Sequence, residues 1–554
     1  MAIKMDLKVL KQTLASLGIN PDEIENERYA KAFRTLFAII EILSRELDAV
    51  KVERQKLRDE INLLKGEQTK PKIRASKKND DISSEDERNE RNPLKTRESN
   101  ARKDKIEIHH TETCSVDKSN LPNDAIFKGY ICVTIRDIIV EPWNTNYKRE
   151  VFYSPSECKT YSGKLPDGIK GEFGPGLRTH ILTLYHVANV SEPKIAEFME
   201  NMGVLISKAT ISRILIEDND LFHKEKSEIF LSGLNSTTYQ QIDDTSARVN
   251  GNNWHTQILC NPYYAAYFTV PHKDRETILD ILLCENEKTY CFNEEAFELM
   301  KMFNIPQFWM EKLSSFKGNT YNNEEIRREM DSVFSPDRYK STKLKVLEAC
   351  SIAAYHQMTN IPVVNTLLSD DAPQFCKLTY QHAHCWIHDG RNYKKLRPTV
   401  PYYHEKLKAF LDRYWDYYRK LCEFRIKPDV EVAEQLDAEF DQLFSTKTGY
   451  DQLDERISKT KEKKESLLKV LTMPEIPLHN NAAELAARVK VRKRDVSLQT
   501  VTDKGTKAND TFMTIVQTAK KLDISAYDYI FDRVSNKFEM PSLAQLIREK
   551  SSMN

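Results

Sequence analysis

Residues 241–259 read QIDDTSARVNGNNWHTQIL. A short strand-like run ends on two carboxylates, Asp243 and Asp244. The polar NGNN at Asn250 makes a turn, and a second extended run rich in β-formers follows. From about Thr237 to Val270 the pattern is strand, turn, strand, strand. Two later segments repeat the chemical theme. Residues 363–375, VVNTLLSDDAPQF, end a hydrophobic extended run on Asp370 and Asp371, and residues 479–494, HNNAAELAARVKVRKR, set Glu484 on a basic helix. Strands alternating with helical stretches indicate an α/β core.

Acids at two strand ends and on a late helix form a chemical set. Phosphodiester chemistry asks little covalent participation of a protein. Two divalent cations roughly 3.5–4 Å apart activate the attacking oxygen and stabilise the leaving one. Mg²⁺ takes oxygen ligands, and carboxylates gathered closely repel unless a cation lies between them. Neighbours on a strand point to opposite faces, so one acid of each pair faces a shared metal. We read Asp243 and Asp370 as the metal-facing members, with Asp244 and Asp371 as turn or supporting residues. Taken singly, each acidic pair also suits a surface turn with a capping role, and Glu484 an i,i+4 ion pair.

At 554 residues the chain exceeds a single core. No apolar stretch is long enough for a transmembrane helix, and the N-terminus lacks a signal-peptide core, which points to a cytoplasmic protein without a membrane partner. The ten cysteines are scattered without a CxxC pair, as in a reducing compartment. Lys plus Arg and Asp plus Glu both number 83, so any nucleic-acid contact must come from local basic clusters.

After an N-terminal helix (1–26), apolar residues fall into heptads over 27–66: Phe33, Leu36, Ile40, Leu43, Leu47, Val50, Leu57, Ile61 and Leu64, with Arg54 as a polar interruption. This predicts a leucine zipper-like coiled coil and a homodimer or higher oligomer; a long helix packed on its own domain has the same pattern. Residues 67–120 are charged and poor in apolar residues, the composition of a disordered linker. Residues 121–190 read as a small β-containing region, with strands in GYICVTIRDIIVEPWNT from Gly129. Within 191–235 a helix to about Met202, a break at Gly203 and a second helix capped by Ser207 suit a helix-turn-helix. Lys208, Thr210, Ser212 and Arg213 are its DNA-facing residues. The core then runs over 236–390, an all-helical insertion over 391–474, the final core part with Glu484 over 475–532, and a tail over 533–554. Beside Glu484, Arg488, Lys490, Arg492, Lys493 and Arg494 form a basic run suited to phosphate contact.

In HAHCWIHDGR, from His382, Cys385 and His388 have C-x-x-H spacing with His384 close by. That is half of a zinc site. No second ligand pair at such spacing lies nearby, and the segment reads as structural or DNA-proximal.

These residues carry a resemblance to the insertion sequence 66 family of bacterial transposases, transposase C type, in the DDE superfamily. It spans roughly residues 121–532. QIDDT is similar to the family's D-E-T segment, SDDAPQF to D-G-Y-x-x-Y, CWIHDGR to C-x-x-H-x-R-R, and HNNAAELAAR to D-N-N-x-x-E-R-x-x-R. GEFGPGLRTHILTLYH and ISAYDYIFDRV match its central and closing regions, and the heptads resemble its zipper. Departures are His479 in place of the acid before the paired Asn, Gly390 in place of the first Arg of the pair ending at Arg391, and Cys114 with His109 and His110 where a CxxC module is usual. The resemblance implies an RNase H-like fold, an Asp243–Asp370–Glu484 triad binding Mg²⁺ (or Mn²⁺), transposon-end and target DNA as substrates, a nucleoid-associated bacterial location, and a place for accessory transposition proteins. The implied reaction is hydrolysis at the element end, then attack of the freed 3′-hydroxyl on target DNA. Two other readings suit parts of the sequence: a coiled-coil, helix-turn-helix regulator without cleavage activity, and a paired-carboxylate glycosidase, which leaves the basic helix unexplained.

Overall fold

The computed structural model describes residues 7–65, 108–117, 125–138, 140–334 and 338–553. Its centre is a five-stranded mixed sheet in the order β5-β4-β3-β8-β9. Strand β3 (Tyr239–Val249) turns into β4 (Asn252–Cys260), with Val249 paired to Asn252. The two residues between them, Asn250 and Gly251, have φ of 45° and 78°. An Asn-Gly pair with both φ positive is the tight turn whose twist matches a β-hairpin. Strand β5 (Ala265–Val270) extends the meander antiparallel to β4. On the other side of β3, β8 (Thr366–Ser369) pairs in parallel, and β9 (Gln381–His384) pairs in parallel with β8.

A hairpin of β1 (Val151–Ser154) and β2 (Lys159–Ser162) precedes this core. The strands predicted from Gly129 are not formed: 125–138 and 140–150 carry neither helix nor strand, and Ile131, Val133, Ile138 and Trp143 are exposed. β-branched composition makes a strand only where a neighbour completes the ladder, and among the described residues this run has none. The predicted linker 67–120 lies outside the described residues apart from 108–117, which have no helix or strand.

Helices cover both faces of the sheet. On one face lie α3 (Pro175–His186), α4 (Glu192–Asn201), α5 (Lys208–Ile216) and α6 (Asp220–Leu234). They share a core with α7 (Arg275–Leu282), α8 (Glu294–Met302), α9 (Gln307–Leu313), α10 (Asn323–Val333) and α11 (Lys340–His356). This second group, with the small β6 (Tyr290–Cys291) and β7 (Thr320–Tyr321) pair, is the crossover that lets β8 run parallel to β3.

After β9 the chain is all-helical: α12 (Trp386–Lys394), α13 (Pro401–Ile426), α14 (Val430–Leu443), α15 (Asp451–Lys461) and α16 (Lys464–Leu467). They build an aromatic core of their own around Trp386, Tyr414, Tyr417 and Phe440. The excursion thus starts at Trp386, a few residues before the predicted boundary at 391. It returns as α17 (Asn481–Ser497), followed by α18 (Asp503–Lys521), α19 (Ala526–Val534) and α20 (Leu543–Ser552). Helix α18 closes the sheet edge. Asp510, Thr514 and Thr518, one turn apart, accept the outward N–H groups of Thr269, Tyr267 and Ala265 on β5. The side chains of one helix face satisfy the free edge, which removes a site for strand addition.

The N-terminal α1 (Leu7–Leu17) and the 38-residue α2 (Glu27–Leu64) lie on the helical excursion. Ala30, Phe37, Glu41 and Ser44 of α2 are buried there. Glu41 accepts the N–H groups of Thr399 at 2.9 Å and Val400 at 3.3 Å, ahead of α13. Further along, Leu43, Leu47, Val50, Leu57, Ile61 and Leu64 are exposed. The first half of the heptad helix packs on its own chain, and apolar residues of its second half are exposed. No helix among the described residues is long and apolar enough to cross a membrane.

Candidate functional site

Asp243, Asp370 and Glu484 come from three elements that meet at the sheet. In the parallel pair, Gln241 is registered with Leu368. Two residues on in each strand direction stand Asp243 and Asp370, on one face of adjacent chains. Asp243 is paired with Ile258, and Ile258 with Tyr267. Ile258 and Tyr267 are buried against Ala483, Ala486 and Ala487 of α17, so Asp243 looks toward the helix that carries Glu484. Asp244 alternates to the other face. There Gln374 Nε2 donates to its Oδ1 at 3.4 Å and Lys273 Nζ lies 3.8 Å from its Oδ2.

Local bonds fix each carrier. Asp370 stands one residue beyond β8, and its Oδ1 accepts the Ala372 N–H at 3.1 Å. Asn480, just before α17, donates Nδ2 to the Ile242 carbonyl at 2.7 Å and its backbone N–H to Cys385 Sγ at 3.3 Å. It therefore pins the start of the Glu484 helix to β3 and to the start of α12. Sequence reasoning quoted Asn480 within a motif but gave it no role; the paired Asn before a helix was its only signal.

The electrostatics are those of crowded acids. Burial pushes Asp243 up to about 7, with the charges of Asp370 and Glu484 adding to the rise. Asp370 is also raised, chiefly by burial. Glu484 is turned toward a guanidinium and an imidazole: Arg391 Nη2 lies 3.4 Å from its Oε2, and His388 Nδ1 lies 3.8 Å from its Oε1. Among the described residues, ligand atoms converge within 4.8 Å in two groups, Cys385–His388–Glu484 and Cys376–His382–His384. The Asp243–Asp370–Glu484 carboxylates are not such a group. The donor set nevertheless fits a hard divalent ion. It is all carboxylate, and the buried Glu484 Oε1 accepts no hydrogen bond.

The C-x-x-H residues have separate tasks. Cys385 is buried, receives the Asn480 N–H, and is pushed up to about 11 by burial. A thiol so disposed is not an activated nucleophile. His388 and Arg391 flank Glu484, and Arg391 carries the positive charge.

The basic run after Glu484 divides by helical period. Ala483, Ala486, Ala487, Lys490 and Lys493 make the buried face of α17. Lys490 donates to Thr269 Oγ1 at 3.2 Å and pairs with Asp510 at 3.5 Å. Lys493 donates to the Tyr185 carbonyl and lies over the Tyr185 ring; burial lowers it to about 7. These two are internal cations, which corrects the expectation that they touch DNA phosphates. Arg492, Lys493 and Arg494 are consecutive and cannot share one face at 3.6 residues per turn. Arg488 and Arg492 are exposed, and Arg494 is half-buried and donates to the Ser246 carbonyl.

Helices α4 and α5 flank a break at Gly203 with φ 76°, and Ser207 Oγ caps α5 by accepting the Thr210 N–H at 3.1 Å. Lys208 and Arg213 are exposed and Thr210 and Ser212 half-buried, while Ile211 and Leu215 anchor the helix.

A chain with an α/β core, an all-helical excursion before its last acid, and paired Asp residues at a sheet end has the layout of a DNA-processing enzyme of the transposase class. The family profile for Transposase IS66 family matches residues 335–508, which include Asp370, Glu484 and the excursion between them. An uncharacterized protein, y4jO, of Sinorhizobium fredii (strain NBRC 101917 / NGR234) is 31% identical over 303 residues, covering 55% of this chain and 94% of its own length. The chain belongs to the IS66 transposase family.

Proposed function

We propose that this chain is a DDE-type DNA transposase that cuts transposon ends and joins the 3′-hydroxyl to target DNA, with Asp243, Asp370 and Glu484 as the metal-holding acids. The observation that carries the reading is the strand register. It sets Asp243 and Asp370 side by side on the face covered by the Glu484 helix. The strand order, with a three-stranded antiparallel meander and two strands parallel to its first, supports an RNase H-like core. Mg²⁺ held by these carboxylates would supply charge neutralisation at the reacting phosphate and a lowered pKa for the attacking oxygen. The chain's own residues shape the rest. Arg391 and His388 hold the third acid while it waits, and Asn480 fixes its height above β3. The exposed Arg488 and Arg492 on the same helix, and Lys208 and Arg213 on α5, supply phosphate contacts. The exposed seam of α2 pairs two copies, so that one assembly holds two element ends.

The test is a supercoiled plasmid carrying the element ends, incubated with the full chain and Mg²⁺ or with a chelator. Nicked and joined products appear with Mg²⁺ alone, and Asp243→Asn, Asp370→Asn and Glu484→Gln abolish them while end binding persists. Specific binding without any Mg²⁺-dependent product, unchanged by the three substitutions, would instead establish a DNA-binding regulator.

A further inference from the structure

The second convergent group of ligands lies apart from the carboxylates. His382 and His384 are two residues apart on the edge strand β9, so they share a face, and their rings are 4.4 Å apart between centroids. That face is opposite to Ala383, which packs with Tyr239 and Leu368 on the side of Asp243 and Asp370. The chain between β8 and β9 returns under this second face and brings Cys376, whose sulfur lies within 4.8 Å of one ring nitrogen from each histidine.

The hydrogen bonds prepare one histidine for a cation. Ser369 Oγ donates its proton to the Asp370 carbonyl at 2.6 Å, so toward His382 Nε2, at 2.8 Å, it acts as acceptor. His382 then carries its proton on Nε2 and presents the bare Nδ1 lone pair. A ligating histidine that donates its other ring N–H is the usual arrangement at metal sites. His384 has both ring nitrogens buried without a hydrogen-bond partner. Such orphaned groups call for a partner, and a bound ion beside a second histidine and a thiol is one. Nitrogen and sulfur donors favour zinc over the magnesium expected at the carboxylates.

We propose that Cys376, His382 and His384 bind a structural Zn²⁺, with the fourth position left to water, and that this ion clamps the loop after Asp370 to the edge strand. Tetrahedral zinc bonds of about 2.0–2.3 Å set ligand atoms roughly 3.3–3.6 Å apart. Closing the three side chains from within 4.8 Å is a matter of side-chain rotation. On binding, Cys376 gives up its thiol proton to solvent and its weak bond to the Ala372 carbonyl at 3.7 Å. The sequence separates these ligands from any CxxC or HxxxH pattern, and only the return of the loop beneath β9 gathers them. The site also touches the proposed chemistry through one residue, because Ser369 joins His382 to the backbone of Asp370.

The experiment uses the full chain expressed in zinc-supplemented medium and dialysed free of loose metal. About one Zn²⁺ per chain should remain, and Co²⁺ substitution should give the thiolate-to-cobalt absorption of a cysteine-ligated tetrahedral site. Cys376→Ser and His384→Ala lose the ion, Cys114→Ser keeps it, and Ser369→Ala weakens zinc affinity about 10–100-fold. Wild-type protein supplies a readout that needs no variant: iodoacetamide labels Cys376 slowly with zinc bound and rapidly after a chelator, as mass spectrometry of the labelled peptide shows. Zinc content unchanged in both ligand variants, no retained zinc in wild type, or equal labelling of Cys376 with and without zinc overturns the proposal.

Discussion

Arg391 bridges His388 and Glu484: one guanidinium nitrogen lies 3.3 Å from His388 Nε2 and the other 3.4 Å from Glu484 Oε2. An arginine only donates, so a neutral His388 has its proton on Nδ1, facing Glu484 Oε1. Burial lowers the His388 pKa and favours that neutral ring. Arg391 is therefore the permanent charge that balances Glu484. In Arg391→Met the carboxylate loses that partner at a cost of about 1–3 kcal/mol. Urea melts should show this loss in chelator and recover most of it in Mg²⁺. An equal loss in both conditions would remove the idea that arginine and cation share one role.

The metal-free protein should lose stability as pH rises from about 4 to about 7, because folding lifts Asp243 from 3.8 to about 7. Below the lower value both folded and unfolded chains hold the proton. Between the two values only the folded chain does, so stability falls with pH and levels off above the folded value. The effect is on the order of a few kcal/mol. Asp243→Asn should flatten this part of the profile in chelator. Mg²⁺ should raise wild-type stability at pH 8 and leave the variant unmoved. A variant profile parallel to that of wild type would assign the slope to other groups.

Basic residues on α17 should separate into two classes. Arg488→Ala with Arg492→Ala should weaken DNA binding and lower its salt dependence by about one unit per lost phosphate contact. Lys490→Met should leave Asp510 without its buried cation and destabilise the fold, with little effect on salt dependence. Fluorescence anisotropy across a salt series, beside thermal melts, distinguishes them. A larger salt effect from Lys490 than from the exposed pair would contradict the burial argument.

Leu47→Glu with Leu57→Glu should convert a dimer to a monomer in sedimentation while the melt of the catalytic core stays in place. Both residues are exposed, whereas the anchor of α2 on the excursion is Phe37 and Glu41. A wild-type monomer, or a double variant that still dimerises, would exclude the α2 seam as the contact.

What could be read before folding was local. The Asn-Gly turn, the alternation around Asp243, the Ser207 cap and the helix that carries Glu484 depend on residues a few positions apart. What could not be read depends on neighbours supplied by the fold. QHAH has little strand propensity and becomes β9 only because β8 offers it a ladder. The run from Gly129 has high propensity and no such neighbour among the described residues. Gly390, a departure from the family pair, is explained by packing: a Cβ there would come 2.6 Å from the Trp415 ring. Lys490 and Lys493 look like surface charge in sequence and turn inward because β5 and α3 present acceptors to them.

The excursion leaves and rejoins the core at a single seam, where the Trp386 N–H meets the Leu478 carbonyl at 2.9 Å and the Asn480 N–H meets Cys385 Sγ. Its two ends are latched together, so the far helices can lengthen or be exchanged without altering the span the core must bridge. Helix α12 carries Arg391 out from that seam to Glu484, so the excursion holds the counter-charge of that acid.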